Sequence, residues 1–471
     1  MNHQTLVMKF GGTSVGSADA LSNAIQIIRD AKKDWDRIVV VTSAMSDVTN
    51  LLLDSAASAS QGRVDSLADA ESTLRAKHFS ATDALIKDEK LREETKAEIN
   101  TLILSLVNLC KAIAVLGEAS PRAMDAVASL GERMSVRLLA AVVIDAGIKA
   151  QAIESSEFVI TNSHFQNAHP DFKATTEKTR ALLNPLMDEG IIPITTGFIG
   201  ATPEGVITTL GRGGSDYSAA IIGSVLPADD VWIWTDVDGV MTTDPRIVKE
   251  AKTLSEISYG EIAELAYYGA KVLHPKTIRP VVEAGIGLRI CNTFNPSQPG
   301  TRVKANGAKG KANGLFIKAV TAIRKQKLIA IEGRGMLGVP GVAARAFGAV
   351  ASIDTSVPLI TQASSEQSIC FAIPTESAQQ VLDALQKSFA LELSVRDIDR
   401  VWATEEVAII TAVGTGTRNT PGVAGQIFSK LGDKQINVLA IAHGSSDVSI
   451  SMVVEMKDTE AAVKALHELI V

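Results

Sequence analysis

The sequence is poor in cysteine and has no surplus of basic charge. Its three cysteines, Cys110, Cys291 and Cys370, lie far apart in apolar stretches, which predicts buried thiols in a reducing compartment and excludes a disulfide framework. The formal net charge of −7 argues against a nucleic-acid partner, since such a partner usually requires a basic face. Apolar runs such as LLAAVVI from Leu138 are too short to span a membrane, and no signal-peptide pattern is visible. We therefore expect a cytoplasmic protein without a membrane or nucleic-acid partner.

The sequence also lacks a GxxxxGK[ST] motif, which excludes a Walker P-loop. It contains instead three other glycine-punctuated segments: KFGGTS from Lys9, TLGRGGSDYSAA from Thr209 and WTDVDGVMTTDPR from Trp234. The first follows the apolar stretch LVMKF, and a strand, a glycine turn and a helix N-terminus together form an anion site. With their lysine, arginine, acids and hydroxyls, these segments favour phosphoryl transfer from a nucleotide. A Gly-Gly pair alone is also typical of ordinary turns, and Asp-Gly of hairpins.

Residues 1–300 alternate apolar runs with amphipathic stretches. This βαβ rhythm predicts an α/β fold with a mainly parallel sheet that is covered on both faces. The predicted buried strands are RIVVVTSAM, KAQAIES, IIPITTGFIG, DDVWIWTDV and GLRICN. Residues 63–147 predict a mostly helical lobe over one edge of the site. The polar, glycine-rich stretch at residues 295–314 predicts a domain boundary.

Beyond that boundary the sequence contains an internal repeat. Residues 333–369 align without gaps to residues 414–450, at an offset of 81. Each copy predicts a strand, a loop, a helix, two strands and a further helix, which implies two duplicated small domains. The G-x-G pair in each copy is not a dinucleotide fingerprint, because the third glycine and the ribose-binding acid about 20 residues further on are missing.

Seven sequence motifs match those of a known protein family, in the order in which the family has them. The chain resembles, essentially from end to end, an aspartate kinase (aspartokinase) of the amino acid kinase superfamily. The motifs that carry the resemblance are KFGGTSVG from Lys9, VVVTSAMSDVTN from Val39, SLGERMS from Ser129, GFIG from Gly197, TLGRGGSDYSAA from Thr209, TDVDGVMTTDPR from Thr235 and YGAKVLHPKT from Tyr268.

The resemblance implies a three-layer amino acid kinase fold with a mainly parallel sheet, followed by two α+β ACT domains of ferredoxin-like topology. It divides the chain into a catalytic domain (1–300), a linker with the first strand of the second ACT domain (301–326), ACT domain 1 (327–403) and ACT domain 2 (404–471). In the family the first ACT domain is inserted into the second, so the strand in LFIKAVTAIRK belongs with the C-terminal domain. Because the sequence ends at Val471, we expect a monofunctional member without the homoserine dehydrogenase of bifunctional members.

The implied reaction transfers the γ-phosphoryl of ATP to the side-chain carboxylate of L-aspartate and gives 4-phospho-L-aspartate, the first step of lysine, threonine and methionine biosynthesis. The carboxylate is already ionised, so the task is to offset the repulsion between two anions. Lys9 matches the cation at the transferred phosphoryl, and Asp216 matches the carboxylate that keeps Lys9 charged. Arg212 matches the group that binds the α-carboxylate, and Glu132 the group that binds the ammonium. Further matching substrate positions are Ser43, Thr49, Phe198 and Ser215.

Nucleotide binding is implied at a second set of positions. These are Lys9, Gly11, Gly12, Thr235, Asp236, Asp238, Met241, Arg246 and Lys271. The two glycines would offer backbone N–H groups to the phosphates. Met241 stands where many members have a tyrosine near the base, and a methionine can still pack there. Mg²⁺ is expected with ATP, held largely by phosphate oxygens and water, and no protein-built metal site is expected.

Phosphoryl transfer needs only the first 300 residues, so the paired ACT domains predict a sensor for an end-product amino acid. ACT domains pair side by side, which implies at least a homodimer through these domains. We favour threonine over lysine as the effector, because Pro358 offers no carboxylate to a lysine side chain and the surrounding sequence resembles the threonine-sensitive class. The matching effector positions are Met336, Val339, Gly341, Val342, Ala343, Ser356 and Gln362.

Two other interpretations remain open from the residues. One is another amino acid kinase, acting on a glutamate derivative, and the paired ACT tail and the GERMS segment argue against it. The other is an amino-acid-binding regulatory protein with an inactive kinase domain, against which the intact Lys9, Arg212, Asp216 and Lys271 argue. Without the resemblance, Glu132 beside an arginine would be read as half of a surface ion pair.

Overall fold

The computed structural model of the chain describes residues 4–267, 273, 275–305, 317–417, 420–443 and 447–470. These residues form two compact units. The first unit comprises Met1–Val240, Ser255–Tyr259 and Val272–Ala305, and the second comprises Met241–Leu254, Gly260–Lys271 and Asn306–Val471. The second unit therefore includes two segments that precede residue 300 in the sequence.

Strands and helices alternate between residues 5 and 304, as the βαβ rhythm predicts. In chain order the elements are β1 (Thr5–Phe10), α1 (Ala18–Asp34), β2 (Arg37–Thr42), α2 (Val48–Ser60), α3 (Leu67–Leu85), α4 (Glu89–Leu116), α5 (Pro121–Asp145), β3 (Ala150–Ile153), α6 (Phe172–Asp188), β4 (Ile192–Thr196), β5 (Ile199–Ala201), β6 (Ile207–Thr209), α7 (Gly214–Val225), β7 (Asp230–Thr235), β8 (Glu256–Ser258), α8 (Tyr259–Tyr267), α9 (Pro275–Ala284), β9 (Gly287–Asn292) and β10 (Thr301–Lys304).

The large sheet of the first unit has the strand order β3-β4-β2-β1-β7-β9-β10-β8. Every neighbouring pair is parallel except β9 and β10. The prediction of a mainly parallel sheet is confirmed, and β5 and β6 form a separate hairpin. Parallel strands buried on both faces explain why the strand segments read as continuous apolar runs and not as alternating patterns.

Helices cover both faces of this sheet and so produce the three-layer arrangement. Successive side chains of β1 point to opposite faces. Leu6, Met8 and Phe10 join a core cluster with side chains of α1 and α5. Val7 points to the other face, where Gly223 of α7 passes close to it. All six residues of β1 are therefore buried.

Among the described helices, α4 is long and apolar enough to cross a membrane by length and composition, which the short apolar runs of the sequence did not suggest. The helix packs against α2, α3 and α5. Its inward side chains recur at helical spacing and join the core cluster of the first unit; they include Ile99, Leu102, Ile103, Leu106, Cys110 and Ile113.

The second unit contains the repeat that the sequence predicts. Its elements from residue 319 onward are β11 (Ala319–Glu332), α10 (Val342–Ala351), β12 (Leu359–Gln362), β13 (Ser368–Pro374), α11 (Ala378–Ser388), α12 (Ala390–Val395), β14 (Arg400–Ala403), β15 (Val407–Val413), α13 (Val423–Asp433), β16 (Ala440–Ala442), β17 (Ser449–Glu455) and α14 (Thr459–His467). Helices α10 and α13 begin 81 residues apart, as do β12 and β16. The expectation of two α+β ACT domains is confirmed.

Strand β11 contributes to both repeats. Its first part, Ala319–Ile323, pairs with β15 of the second repeat, and its last part, Gln326–Glu332, pairs with β13 of the first repeat. The register shifts between Ile323 and Gln326, where Lys325 has a φ of 56°. Each repeat nevertheless has a core of its own, built from its two helices and its inward strand positions.

Within the second unit, α8 is bonded to residues of the C-terminal region. Glu261 of α8 is fully buried and lies 2.8 Å from Lys318 Nζ. The same carboxylate accepts hydrogen bonds from the backbone N–H and the hydroxyl of Thr415, at 2.8 and 2.6 Å. Because a buried charge is tolerated only when it is paired and hydrogen-bonded, these contacts attach α8 firmly to that region.

Candidate active site

The main cavity of the first unit lies where neighbouring parallel strands end. Strands β1, β2 and β7 are adjacent and parallel, so their carboxyl ends meet at one edge of the sheet, the usual ligand edge of open α/β sheets. Strand β1 leads into the Gly11–Gly12 turn and β2 into Ser43, whose N–H donates to the carbonyl oxygen of Phe10 at 3.0 Å.

The cavity has a volume of about 650 Å³. It brings together both predicted catalytic residues, all six predicted substrate-binding residues and one of the two glycines of the turn. These lining residues are Lys9, Gly12, Ser43, Thr49, Glu132, Phe198, Arg212, Ser215 and Asp216. They come from sequence positions more than 200 apart and from both faces of the sheet.

Lys9 and Asp216 form an ion pair in this cavity. The Nζ of Lys9 lies 2.5 Å from Oδ1 of Asp216, and the two side chains are only 10% and 16% exposed. Lys9 lies near the end of β1, and Asp216 lies in the first turn of α7, which begins after Gly213 at a φ of 71°. The pair therefore places the ammonium group of Lys9 in the cavity, where a phosphoryl group would need a cation.

Glu132 projects into the cavity from α5 as a fully buried carboxyl group. Burial raises its pKa to about 8, and a backbone hydrogen bond from Ala44 and the charge of Lys9 only partly oppose the effect. Among the residues that the structure describes, none forms a hydrogen bond with its Oε2 atom. A buried and unpartnered carboxylate oxygen is costly, so this atom is suited to accept a donor from a ligand, such as an ammonium group.

Arg212 is the exposed cation of the cavity. Within the part of the chain that the structure describes, no carboxylate lies at ion-pair distance from its guanidinium group. The guanidinium is therefore available for a carboxylate of a ligand, which it can bind through two parallel hydrogen bonds.

The glycine turn after β1 differs in one respect from the sequence-based prediction. The N–H of Gly11 donates to the carbonyl oxygen of Trp234 at 3.0 Å, so it is not free to bind a phosphate, and Gly11 does not line the cavity. Gly12 does line it, and a Cβ atom there would lie 3.0 Å from the carbonyl oxygen of Ala44. In this structure strand β7 therefore uses the N–H of Gly11 that the sequence-based prediction assigned to a phosphate.

The predicted nucleotide residues are divided between the two units. In the first unit, Asp238 Oδ1 accepts hydrogen bonds from the side-chain amides of Asn292 and Asn295 at 2.8 and 3.1 Å. The hydroxyl of Thr235 donates to Asp236 at 3.2 Å. Asn292 and Asn295, which sequence reasoning missed, thus hold the segment after β7 in place.

Met241 and Arg246 belong to the second unit. The sulfur of Met241 accepts a hydrogen bond from Thr253 at 3.3 Å, and Arg246 pairs with Asp244 at 2.6 Å while its side chain is 89% exposed. Lys271, the remaining predicted phosphate ligand, lies outside the described residues.

No group of three or more His, Cys, Asp or Glu side chains within the described ranges is arranged to hold a metal ion.

Several cavity residues were missed by sequence reasoning. Asp47, Asn50, Met124, Asp125 and Gln166 also line the cavity. A signal for Asp125 was present, because it precedes Glu132 by seven residues and so lies on the same face of the helix. No comparable signal marks Gln166, which lies in a loop with a φ of 66°.

A second cavity of about 370 Å³ lies in the first ACT repeat of the second unit. Six of the seven predicted effector residues line it: Met336, Val339, Gly341, Val342, Ala343 and Gln362. Ser356 does not, and it lies exposed before β12. The cavity also contains Glu366, whose Oε2 atom accepts a hydrogen bond from the N–H of Gly338 at 3.1 Å. The sequence-based argument from Pro358 did not take this carboxylate into account.

Comparison with known proteins agrees with this architecture. Residues 4–292 match the amino acid kinase family, and residues 329–389 and 410–469 each match an ACT domain family. The fold and the two cavities therefore define a protein of the amino acid kinase class that carries a pair of ACT domains.

Individual relatives narrow the class further. The chain is 35% identical to the lysine-sensitive aspartokinase 3 of Escherichia coli, and the match covers 98% of both chains. It is 37% identical to a bifunctional aspartokinase/homoserine dehydrogenase of Daucus carota, and it spans about half the length of this and other plant relatives. The crystal structure of E. coli aspartokinase III in complex with aspartate and ADP superposes with a TM-score of 0.80, at 34% identity and with 99% of both chains covered. The chain belongs to the aspartokinase family.

Proposed function

We propose that the protein transfers the γ-phosphoryl group of ATP to the side-chain carboxylate of L-aspartate, giving 4-phospho-L-aspartate. One observation carries the proposal. A single cavity presents the Lys9–Asp216 ion pair, the Oε2 of Glu132 and the guanidinium of Arg212, and within the described ranges the latter two groups have no hydrogen-bond or ion-pair partner, respectively. The complex of E. coli aspartokinase III with aspartate and ADP supports this proposal.

The three groups divide the recognition of aspartate among them. Arg212 binds the α-carboxylate, Glu132 in its ionised form binds the ammonium, and the side-chain carboxylate is left to face Lys9. That carboxylate is ionised at neutral pH and is itself the nucleophile, so no general base is needed. The barrier is the repulsion between the carboxylate and the phosphoryl group, which the ammonium of Lys9 offsets.

ATP binds, in this proposal, at the carboxyl edge of the sheet beside the Gly12 turn and the segment Thr235–Asp238. Gly12 suits a nucleotide because it lines the cavity and, among the described residues, no acceptor bonds to its N–H. Mg²⁺ accompanies ATP and is held chiefly by phosphate oxygens and water, which requires few protein ligands.

The ACT repeats add regulation by an amino acid. The effector binds in the cavity of the first repeat, and the repeats pair two copies of the chain into at least a dimer. Threonine is the preferred effector for the reasons drawn from the sequence. Lysine is a second candidate because Glu366 supplies a carboxylate in the cavity and because the E. coli relative is described as lysine-sensitive. The protein acts in the cytoplasm, consistent with its three free cysteines.

The test is ATP-dependent phosphorylation of L-aspartate with Mg²⁺, with the acyl phosphate trapped as its hydroxamate by hydroxylamine. We expect hydroxamate from aspartate and none from glutamate or N-acetylglutamate, and we expect threonine or lysine to suppress turnover. Product from a glutamate derivative but not from aspartate would assign the protein to another amino acid kinase. No product with any substrate, together with retained effector binding, would leave a regulatory binding protein.

A further inference from the structure

We propose that Asp125 is a positioning residue that sets the aspartate site by fixing the segment that carries Arg212. The inference rests on the proposed function. Asp125 lies on α5, lines the main cavity and is only 1% exposed. It is not among the residues to which sequence or resemblance assigned a role, and its contacts differ in kind from those of Glu132 on the same helix face.

Both carboxylate oxygens of Asp125 are occupied by groups from two separate segments. Oδ1 accepts from the hydroxyl of Thr209 at 2.7 Å, and Oδ2 accepts from the N–H of Thr209 at 2.9 Å. The N–H of Gln166 donates to both oxygens, at 3.1 and 3.0 Å. The carboxylate therefore joins α5 to the end of β6 and to the loop between β3 and α6.

These two segments are also locked to each other. The N–H of Ala168 donates to the carbonyl oxygen of Thr209 at 2.9 Å. Gly211 has a φ of 78°, and a Cβ atom there would lie 3.0 Å from the carbonyl oxygen of Gln166. The chain passes from Thr209 through Gly211 to Arg212 in three residues, so a shift at Thr209 moves the guanidinium group.

A carboxylate is favoured at position 125 because three hydrogen-bond donors point at its two oxygen atoms. Burial raises the pKa of Asp125, and the hydrogen bonds from Gln166 and Thr209 act to lower it. Two backbone N–H groups and a hydroxyl would lose their acceptor if the group were removed, and buried donors without acceptors are unfavourable. The native arrangement therefore depends on an acceptor at both oxygen positions, which asparagine cannot supply because its amide nitrogen is a donor.

The test compares Asp125→Asn with the matched control Asp145→Asn. Asp145 lies on the same helix and also accepts two backbone N–H groups, those of Lys87 and Asp88, at 3.0 and 2.9 Å, but it does not line the cavity. We expect Asp125→Asn to raise the KM for aspartate roughly 10-fold or more, because small misplacements of a binding group are costly. The KM for ATP should stay within about twofold of the wild-type value, and Asp145→Asn should leave both constants unchanged.

A second readout separates positioning from a general structural role. L-aspartic acid α-amide lacks the charged α-carboxylate that Arg212 would bind. The preference for aspartate over this analogue, measured as a ratio of kcat/KM or of competitive inhibition constants, should fall in Asp125→Asn and persist in Asp145→Asn. If Asp125→Asn does not fold, Thr209→Val removes one of the same bonds, and Thr209→Ser, which keeps the hydroxyl, should restore the wild-type KM.

The possible outcomes separate this proposal from the proposed function. One outcome would overturn the positioning role alone. In it, Asp125→Asn and Thr209→Val both turn over aspartate at the wild-type rate, and neither variant changes the KM for aspartate or the preference for aspartate over its α-amide. Equal rises in the KM for aspartate and for ATP would also overturn it, because they indicate a general loss of structure. Failure of the wild-type chain to phosphorylate aspartate would overturn both.

Discussion

The Nζ atom of Lys9 lies 2.5 Å from Oδ1 of Asp216, although 207 positions separate the two residues in the sequence. Lys9 lies on the central strand β1, and Asp216 lies in the first turn of α7. Helices α7 and α1 pack on opposite faces of that strand. The pair places the buried ammonium group of Lys9 in the cavity. It is the feature on which the proposed chemistry most directly depends.

Replacing Lys9 should remove catalysis while sparing the fold and the second cavity. We expect Lys9→Ala to lower kcat by roughly 10²–10³-fold or more, because a cation aimed at developing charge is lost. Effector binding, measured by calorimetry, should be unchanged. The control is Lys33→Ala, which breaks an exposed pair with Asp30 and should not alter turnover. Retained turnover in Lys9→Ala would refute its assignment.

The raised pKa of Glu132, about 8, should appear in the pH dependence of aspartate use. Only the ionised form can pair with the substrate ammonium. At pH 7 roughly a tenth of the free enzyme carries that form, since each unit below the pKa costs a factor of ten. The value of kcat/KM for aspartate should therefore rise with pH and level off above about 8.

The matched variant for this prediction is Glu132→Gln. It should raise the KM for aspartate and abolish the rise in kcat/KM between pH 6 and 8, because no titrating group remains at this position. A profile with the same inflection in the variant would assign the titration to another group.

Arg212 should act through the geometry of its guanidinium group and not through its charge alone. Arg212→Lys keeps the charge but loses the bidentate geometry, so we expect the KM for aspartate to rise about 10-fold. The preference for aspartate over its α-amide should fall in parallel. Arg75→Lys, at an i,i+4 pair on α3, is the control. If Arg212→Lys has the same preference as the wild type, a group other than Arg212 binds the α-carboxylate of aspartate.

Glu366 should discriminate between the two effector candidates. Glu366→Gln removes the negative charge from the effector cavity, so any affinity for lysine should fall about 10-fold, the loss expected for a charge-assisted hydrogen bond. Threonine has no side-chain charge, and its Kd should be unaffected. The control is Glu376→Gln, an exposed carboxylate in the same repeat. Lysine affinity that is the same in the wild type and in Glu366→Gln would remove the basis for lysine recognition by this residue.

The pair between Glu261 and Lys318 should be a stability determinant of the second unit. Lys318→Met removes the ammonium group that lies 2.8 Å from a fully buried carboxylate, so we expect the free energy of unfolding to fall by about 3 kcal/mol. Lys304→Met disrupts the more exposed pair with Glu256, and there the change should be below about 1 kcal/mol. If denaturant unfolding gives the same loss of stability for both variants, burial does not determine how much an ion pair contributes to the free energy of unfolding.

Much of the catalytic fold could be predicted from local patterns. The buried strands, the helical block over residues 63–147 and the 81-residue repeat follow from apolar periodicity and from self-similarity, which are properties of neighbouring positions. The predicted cavity residues lie in motifs whose glycines and charges are distinctive, such as GRGGSD around Arg212. These elements agree with the structure because local preference and global fold favour the same conformation.

Other features depend on contacts that no local pattern carries. Gly11 looks like a phosphate donor beside Gly12, yet its N–H is taken by Trp234 on a strand more than 200 positions away. The spacing of Asp125 from Glu132 places it on the cavity face of α5, but its bonds to Thr209 and Gln166 follow only from the loops that the fold brings to one carboxylate. The segments Met241–Leu254 and Gly260–Lys271 lie within the predicted catalytic domain in sequence but pack into the second unit.

The sequence by itself therefore determined the family, the alternation of strands and helices, the duplicated domains and most of the charged groups of the cavity, because these are encoded in short stretches of chain. Among the described residues, the tertiary structure alone decided which donors are free, which carboxylate oxygen is buried without a hydrogen bond and which acids hold loops in place. Those properties depend on burial and on hydrogen bonds between distant segments, and the free energy of a charged group is set by its surroundings and not by its neighbours in sequence.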